Sequence, residues 1–176
     1  MKKISILLPY KENFTPKYAG AVSLLVKDIS IKSKYKKNIT VYGSTDYKER
    51  FKINYKNMFF KKFFFESGNI KYAENFLKLI EKKHSDLIEV HNRPIYIKHL
   101  ILGTNSKIIL YFHNDPLSMN GSKLISDRLD LLKSTNKLIF NSNWSLNRFL
   151  KGLNISDRDK NKLYVLYQSA NKININ

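Results

Sequence analysis

Apolar positions along the chain fall into short blocks separated by polar turns that carry glycine, proline or asparagine. Residues 3–9, KISILLP, form an apolar run closed by Pro9 and predict a buried strand. Val22, Leu25, Val26 and Ile29 recur at helical spacing and predict a helix over 19–33. NITVYGS at 38–44 is rich in β-branched residues and predicts a second strand. The polar, lysine-rich segment 45–57 reads as a surface loop, and MFFKKFFF at 58–65 as a third strand. Ala73, Phe76, Leu77 and Ile80 share one face of a helix expected over 70–83.

The second half repeats the alternation. Strands are expected at 85–90, 106–112, 136–141 and 162–167. Between them, one helix opens at Pro94 and ends at Gly103, one covers about 121–134, and one is capped by Ser142 or Asn143 and stopped by Gly152. Strands alternating with helices through short loops predict an α/β fold, a doubly wound, Rossmann-like parallel sheet flanked by helices. Continuous apolar strands agree, because such strands are covered on both faces. The last residues have no apolar pattern, and 172–176 read as a frayed end to a single domain at 1–171.

Composition narrows the function. No cysteine is present among the 176 residues, so thiol nucleophiles and cysteine-bound zinc are excluded. No apolar run reaches the roughly 18 residues of a membrane span, and no signal-peptide pattern opens the chain, so a cytoplasmic location is expected. The net charge of +18 attracts polyanions, whether nucleic acid or an anionic membrane face. Abundant Lys, Asn and Ile are also what an AT-rich genome produces. Only 5 of the 32 basic residues are Arg, which disfavours base reading, where the bidentate guanidinium is the usual tool. A basic nucleic-acid-binding module is the alternative reading, without an RNA- or DNA-binding signature to support it.

Candidate chemistry sits where apolar runs stop. IEVHNRP ends in His91-Asn92-Arg93 before Pro94, and YFHNDP ends in His113-Asn114-Asp115 before Pro116. Asn141-Ser142-Asn143 ends the next strand. Polar turns are ordinary strand endings, but three of them at one sheet edge would face a shared crevice, where open parallel sheets bind ligands. The first loop, YKENFTPKYAG, begins at Tyr10 and joins that rim, with Gly20 leading into a helix N-terminus that suits phosphate. A lone glycine, with neither GxGxxG nor a Walker lysine, argues against dinucleotide binding and P-loop hydrolysis. Asp115 could take a proton from an acceptor, or simply cap the turn that follows. No metal-binding cluster stands out. His84 and His99 receive no role. Trp144 could stack on a sugar or pack on the sheet. MFFKKFFF reads as a buried strand with Lys61 and Lys62 at its exposed edge. The competing reading is a basic aromatic surface that settles on an anionic membrane.

These segments, taken in order, resemble the N-terminal domain of family 4 glycosyltransferases of the GT-B fold. The resemblance rests on the opening strand and glycine-bearing loop, DLIEVHNRP, KIILYFHNDPLSM, IFNSNWSLNRFLKGL and LYVLYQSAN, and spans roughly 1–171. It implies one half of a GT-B enzyme, holding a sugar acceptor. A second Rossmann-like half beyond residue 171 would bind the nucleotide-sugar donor. No cofactor is expected on this half, and turnover is expected to need both. The resemblance implies that His113 lies beside the transferred sugar and that Gly20 approaches the donor phosphates. It places His91, Asn92, Arg93, Asp115 and Ser142 on the acceptor side, and Tyr10, Asn114 and Asn143 share that rim. Ala19-Gly20-Ala21 carries one glycine where the family often has two, and Tyr167-Gln168-Ser169-Ala170-Asn171 stands where a Pro-Asn-Gly turn is common.

Overall fold

The computed structural model describes residues 2–59, 67–81 and 84–168. Its elements alternate as the apolar blocks predict: β1 (Ile4–Leu7), α1 (Ala21–Lys32), β2 (Ile39–Gly43), β3 (Tyr55–Asn57), α2 (Gly68–Glu81), β4 (Leu87–His91), α3 (Ile97–Gly103), β5 (Lys107–Phe112), α4 (Ile125–Ser134), β6 (Lys137–Phe140), α5 (Asn143–Leu150), α6 (Asp157–Lys160) and β7 (Leu163–Val165). The strands form one parallel sheet in the order β3-β2-β1-β4-β5-β6-β7. Strand order reverses between β1 and β4, the crevice-forming switch point of doubly wound folds.

Successive strand residues point to opposite faces, so each strand feeds two cores. Leu7, Ile88, Val90, Leu110, Phe112, Leu138 and Phe140 share a buried cluster with Phe76, Ile97, Leu100, Leu131 and Phe149 from α2, α3, α4 and α5. Ile6, Leu8 and Val41 point the other way, into a smaller cluster with Val26 of α1 and Phe14. The alternate residues Glu89, His91, Ile109 and Tyr111 therefore lie on the α1 face.

Two expectations need correction. Residues 45–57 are not loop throughout, because Tyr55–Asn57 pairs with Val41–Gly43 as an edge strand. Three residues are too few to show alternation, and what anchors them is non-local: Tyr55 stacks on Phe14 with ring centroids 4.8 Å apart. The helix expected from 121 starts at Ile125, after the Asp127 carboxylate has accepted the Leu124 N–H. Pro116–Ser118 instead forms a separate 3₁₀ turn, as does Pro94–Tyr96 ahead of α3. The strand expected at 58–65 lies mostly outside the described residues. Of it, Met58 is buried and Phe59 exposed. α6 has no counterpart among the expected elements; the Ser156 side chain caps it by accepting the Asp159 N–H. Among the described residues no helix is long and apolar enough to cross a membrane.

Candidate functional site

The first His-Asn-x-Pro junction has a backbone reason. His91 is the last residue of β4, and Asn92 turns the chain with φ 55°, a left-handed conformation that asparagine tolerates better than most residues. Pro94 then opens the next helical turn, where its missing N–H costs nothing. Asn92 also ties neighbouring strand ends together. Its N–H donates to Tyr111 O at 2.8 Å, and its Oδ1 accepts the His113 N–H at 3.3 Å. Asn141 closes the next gap, donating from Nδ2 to His113 O at 2.8 Å. The ends of β4, β5 and β6 are thus stitched into one rim by asparagine side chains.

His91 and His113 meet within this rim, His91 Nδ1 lying 3.0 Å from His113 Nε2. His113 Nδ1 is 2.8 Å from the Gln168 amide nitrogen. His91 is only 1% exposed, so its ring is covered on the rim side and His113 is the more accessible of the pair. Burial, with a smaller contribution from His91 beside it, pushes the His113 pKa down to about 3. His113 is therefore neutral at physiological pH, with ring nitrogens suited to hydrogen bonding.

That depressed value links folding to pH. Between pH 6.5 and pH 3 the unfolded chain binds a proton at His113 that the folded chain refuses. The contribution is fully present above about pH 6.5 and is lost as pH falls toward 3. Acidifying from pH 7 to pH 4 is expected to remove about 3 kcal/mol of stability through this residue. Urea titrations of native protein and His113→Gln should show the loss in the first and a much shallower slope in the second.

Asp115 takes the structural part of its two expected roles. Its Oδ1 accepts the Leu117 N–H at 3.0 Å, capping the 3₁₀ turn. Both carboxylate oxygens also engage Arg148 of α5, at 3.1 and 3.2 Å from Nε and 2.8 Å from Nη2. The Arg148 bonds hold its pKa below the usual carboxylate value, which makes it a weaker base. Asp115→Asn is expected to cost no more than about 1 kcal/mol, from the lost ion pair, because asparagine caps a turn as well as aspartate. In a polypeptide that joins this domain to a donor half, the same variant is expected to keep sugar transfer within tenfold; a thousandfold loss in an activity assay would mark Asp115 as the base.

The other expected residues divide. Arg93 donates from Nη1 to Asn92 O at 2.8 Å and, with Asn92, Asn69, Asn120 and Lys123, lines a polar hollow of about 370 Å³. Asn114 is exposed at the rim. Ser142 caps α5 by accepting the Ser145 N–H at 3.2 Å. Asn143 is exposed and donates to the Tyr167 hydroxyl at 3.0 Å. The Tyr10 N–H donates to the Tyr96 hydroxyl at 2.9 Å, which donates in turn to Asn69 Oδ1 at 3.2 Å. These bonds tie the Tyr10 backbone to Asn69, which lines the polar hollow. Gly20 sits before the first turn of α1, where the Glu12 carboxylate accepts the Ser23 N–H and occupies the space a Gly20 side chain would need. Trp144 is 59% exposed, beside the Arg148 guanidinium.

Beside the rim, Leu25 and Ile29 of α1 face Tyr111, His113, Ile139 and Leu166 across a mainly apolar cavity of about 210 Å³. Glu89, Tyr111 and Gln168 join the site without having been singled out by sequence, alongside Asn141 of the third polar strand ending. Glu89 and Tyr111 each lie two residues before a histidine, and strand periodicity alone places them on its face. Gln168 carries no local signal. Among the described residues no cluster could hold a metal ion.

No family model matches the chain, and no curated protein matches it. Solved structures do. The Anabaena protein Alr3699/HepE, in complex with UDP and glucose, superposes with a TM-score of 0.64 at 17% identity, over 97% of this chain and 45% of that one. A glycosyltransferase from Rickettsia africae gives 0.55 at 16% identity, over 97% of this chain and 44% of that one. A UDP-N-acetylglucosamine 2-epimerase gives 0.58 at 10% identity, covering 94% and 48%. The chain spans about half the length of the structures it matches, and its architecture is that of one domain of the GT-B, glycosyltransferase-like fold.

Proposed function

We propose that this chain is the acceptor-side half of a family 4 glycosyltransferase, moving a sugar from a nucleotide-sugar to a cell-envelope saccharide or related acceptor. A second α/β half would bind the donor, and the half described here would be inactive by itself. The observation that carries this reading is the stitched rim at the ends of β4, β5 and β6. It gathers a neutral histidine, Asn92, Arg93 and Asn141 beside a polar hollow and an apolar cavity. Sugars are bound by such alternations of hydrogen-bonding groups and apolar walls. Matched proteins of the same fold were solved with UDP-glucose, or are described as acting on a UDP-sugar, which supports a nucleotide-sugar as the donor class.

Glycosyl transfer builds negative charge on the departing phosphate, which backbone N–H groups at a helix N-terminus can stabilise. The start of α1 at Gly20 would serve, with the Glu12 carboxylate giving way to the phosphate. His113, neutral and half-buried, would accept a hydrogen bond from a sugar hydroxyl. The polar hollow by Arg93 would hold the acceptor. The +18 charge suits a cytoplasmic protein that rests on the anionic inner leaflet near a membrane-bound acceptor.

The test is transfer itself. The polypeptide carrying this domain together with a donor half, given radiolabelled nucleotide-sugars and an envelope glycolipid fraction, should move label into the acceptor. No transfer from any donor, with no donor binding by calorimetry, would overturn the proposal.

A further inference from the structure

Glu89, His91, Tyr111 and His113 share one face of the sheet because β4 and β5 pair His91 with Tyr111, and residues two apart lie on the same side. The His91 ring stacks on Tyr111 at a centroid distance of 4.6 Å and lies within 9° of parallel to His113. The proposed transfer chemistry gives His91 no contact with a ligand, yet it is a buried titratable group beside the residue that would have one.

Each contact fixes the next proton. An amide nitrogen only donates, so His113 Nδ1, 2.8 Å from that of Gln168, accepts. A neutral imidazole then carries its proton on Nε2, and His113 donates to His91 Nδ1 at 3.0 Å. His91 must in turn carry its proton on Nε2. Among the described residues that buried N–H has no hydrogen-bond partner, and it faces the Glu89 carboxylate at 3.9 Å. A carboxylate only accepts, so its nearness favours the proton on that nitrogen and disfavours the opposite tautomer.

We propose that Glu89 and His91 are positioning residues that hold His113 in the tautomer whose Nδ1 lone pair is presented to the rim. The spot taken by the Gln168 amide is then a receptor for a donating group, a sugar hydroxyl, and rejects a phosphate oxygen. The identity of that ligand rests on the transferase function proposed above; the order of protons rests on the contacts alone. Only hydrogen bonds change on binding: the hydroxyl replaces the amide as donor, and no proton is transferred.

Long-range proton–nitrogen NMR of ¹⁵N-histidine-labelled protein at pH 7 tests the order directly. Both His91 and His113 should show an unprotonated Nδ1 and a protonated Nε2. Glu89→Gln, whose amide can present N–H instead of oxygen, should bring in the second tautomer at both rings. His113 protonated on Nδ1 in the native protein, or both rings unmoved by Glu89→Gln, overturns the proposal. In the polypeptide with both halves, Glu89→Gln should lower kcat/KM about fivefold, the worth of one hydrogen bond, at an unchanged Tm. A lowered Tm with kcat/KM intact would reduce Glu89 to a structural role and likewise overturn it. If the tautomers are as stated but native protein transfers no sugar, the transferase function fails and the positioning role stands.

Discussion

Phe112→Ala is expected to destabilise the domain by about 3–5 kcal/mol, the range for truncating a buried phenylalanine. Phe112 is 1% exposed and lies 5.2 Å, centroid to centroid, from Phe140 and 5.6 Å from Phe149. Two of these rings come from neighbouring strands and the third from α5, so no single element can move to fill the void. Dispersion attraction forfeited on several sides of a void is not recovered by collapse on one. The residue also ends β5, and its neighbour is His113, so loosening here should reach the rim. Equilibrium urea unfolding measures the first effect. A change below about 1 kcal/mol would mean the aromatic cluster is poorly packed, contrary to what these distances imply.

His113→Ala is expected to lower sugar transfer by the two-half polypeptide on the order of 100-fold, at the upper end for a lost hydrogen bond that leaves a buried partner, His91, unpaired. The truncation removes the partner of His91 Nδ1 and of the Gln168 amide together. His113→Gln, which keeps polar atoms at the site, should recover part of the loss. Because His113 titrates near pH 3, the rate should show no inflection from it between pH 5 and 8. Steady-state kinetics of the three proteins across that range decide the matter. An alanine variant with native rates would remove His113 from the site.

The parallel sheet was legible because its strands are long apolar blocks: SKIILYF and NKLIFN could hardly be anything but buried, and Pro94 and Gly103 bracket a helix by their own backbone limits. Tyr55–Asn57 was not legible, since an edge strand of three residues has too little periodicity and depends on Phe14, some 40 residues earlier. The rim was legible as a set of polar strand endings. What those endings do was not. Local spacing shows a His-Asn-x-Pro junction, but not that His91 is buried while His113 reaches the rim, a distinction set by how β4, β5 and the segment at Gln168 come together. The ion pair of Asp115 was not legible for a related reason: its partner Arg148 is 33 residues away, on α5.

Ligands are expected to meet this domain at the ends of β4, β5 and β6. Amide NMR of the domain titrated with mono- and oligosaccharides, and separately with single-stranded DNA, tests it most directly. Saccharide-dependent shifts should concentrate at Asn92, Arg93, Asn114 and Ser142. Saccharides that leave those amides unmoved, with DNA saturating a lysine-rich surface such as the groove by Lys36, Lys37 and Lys52 at the opposite edge of the sheet, would contradict it.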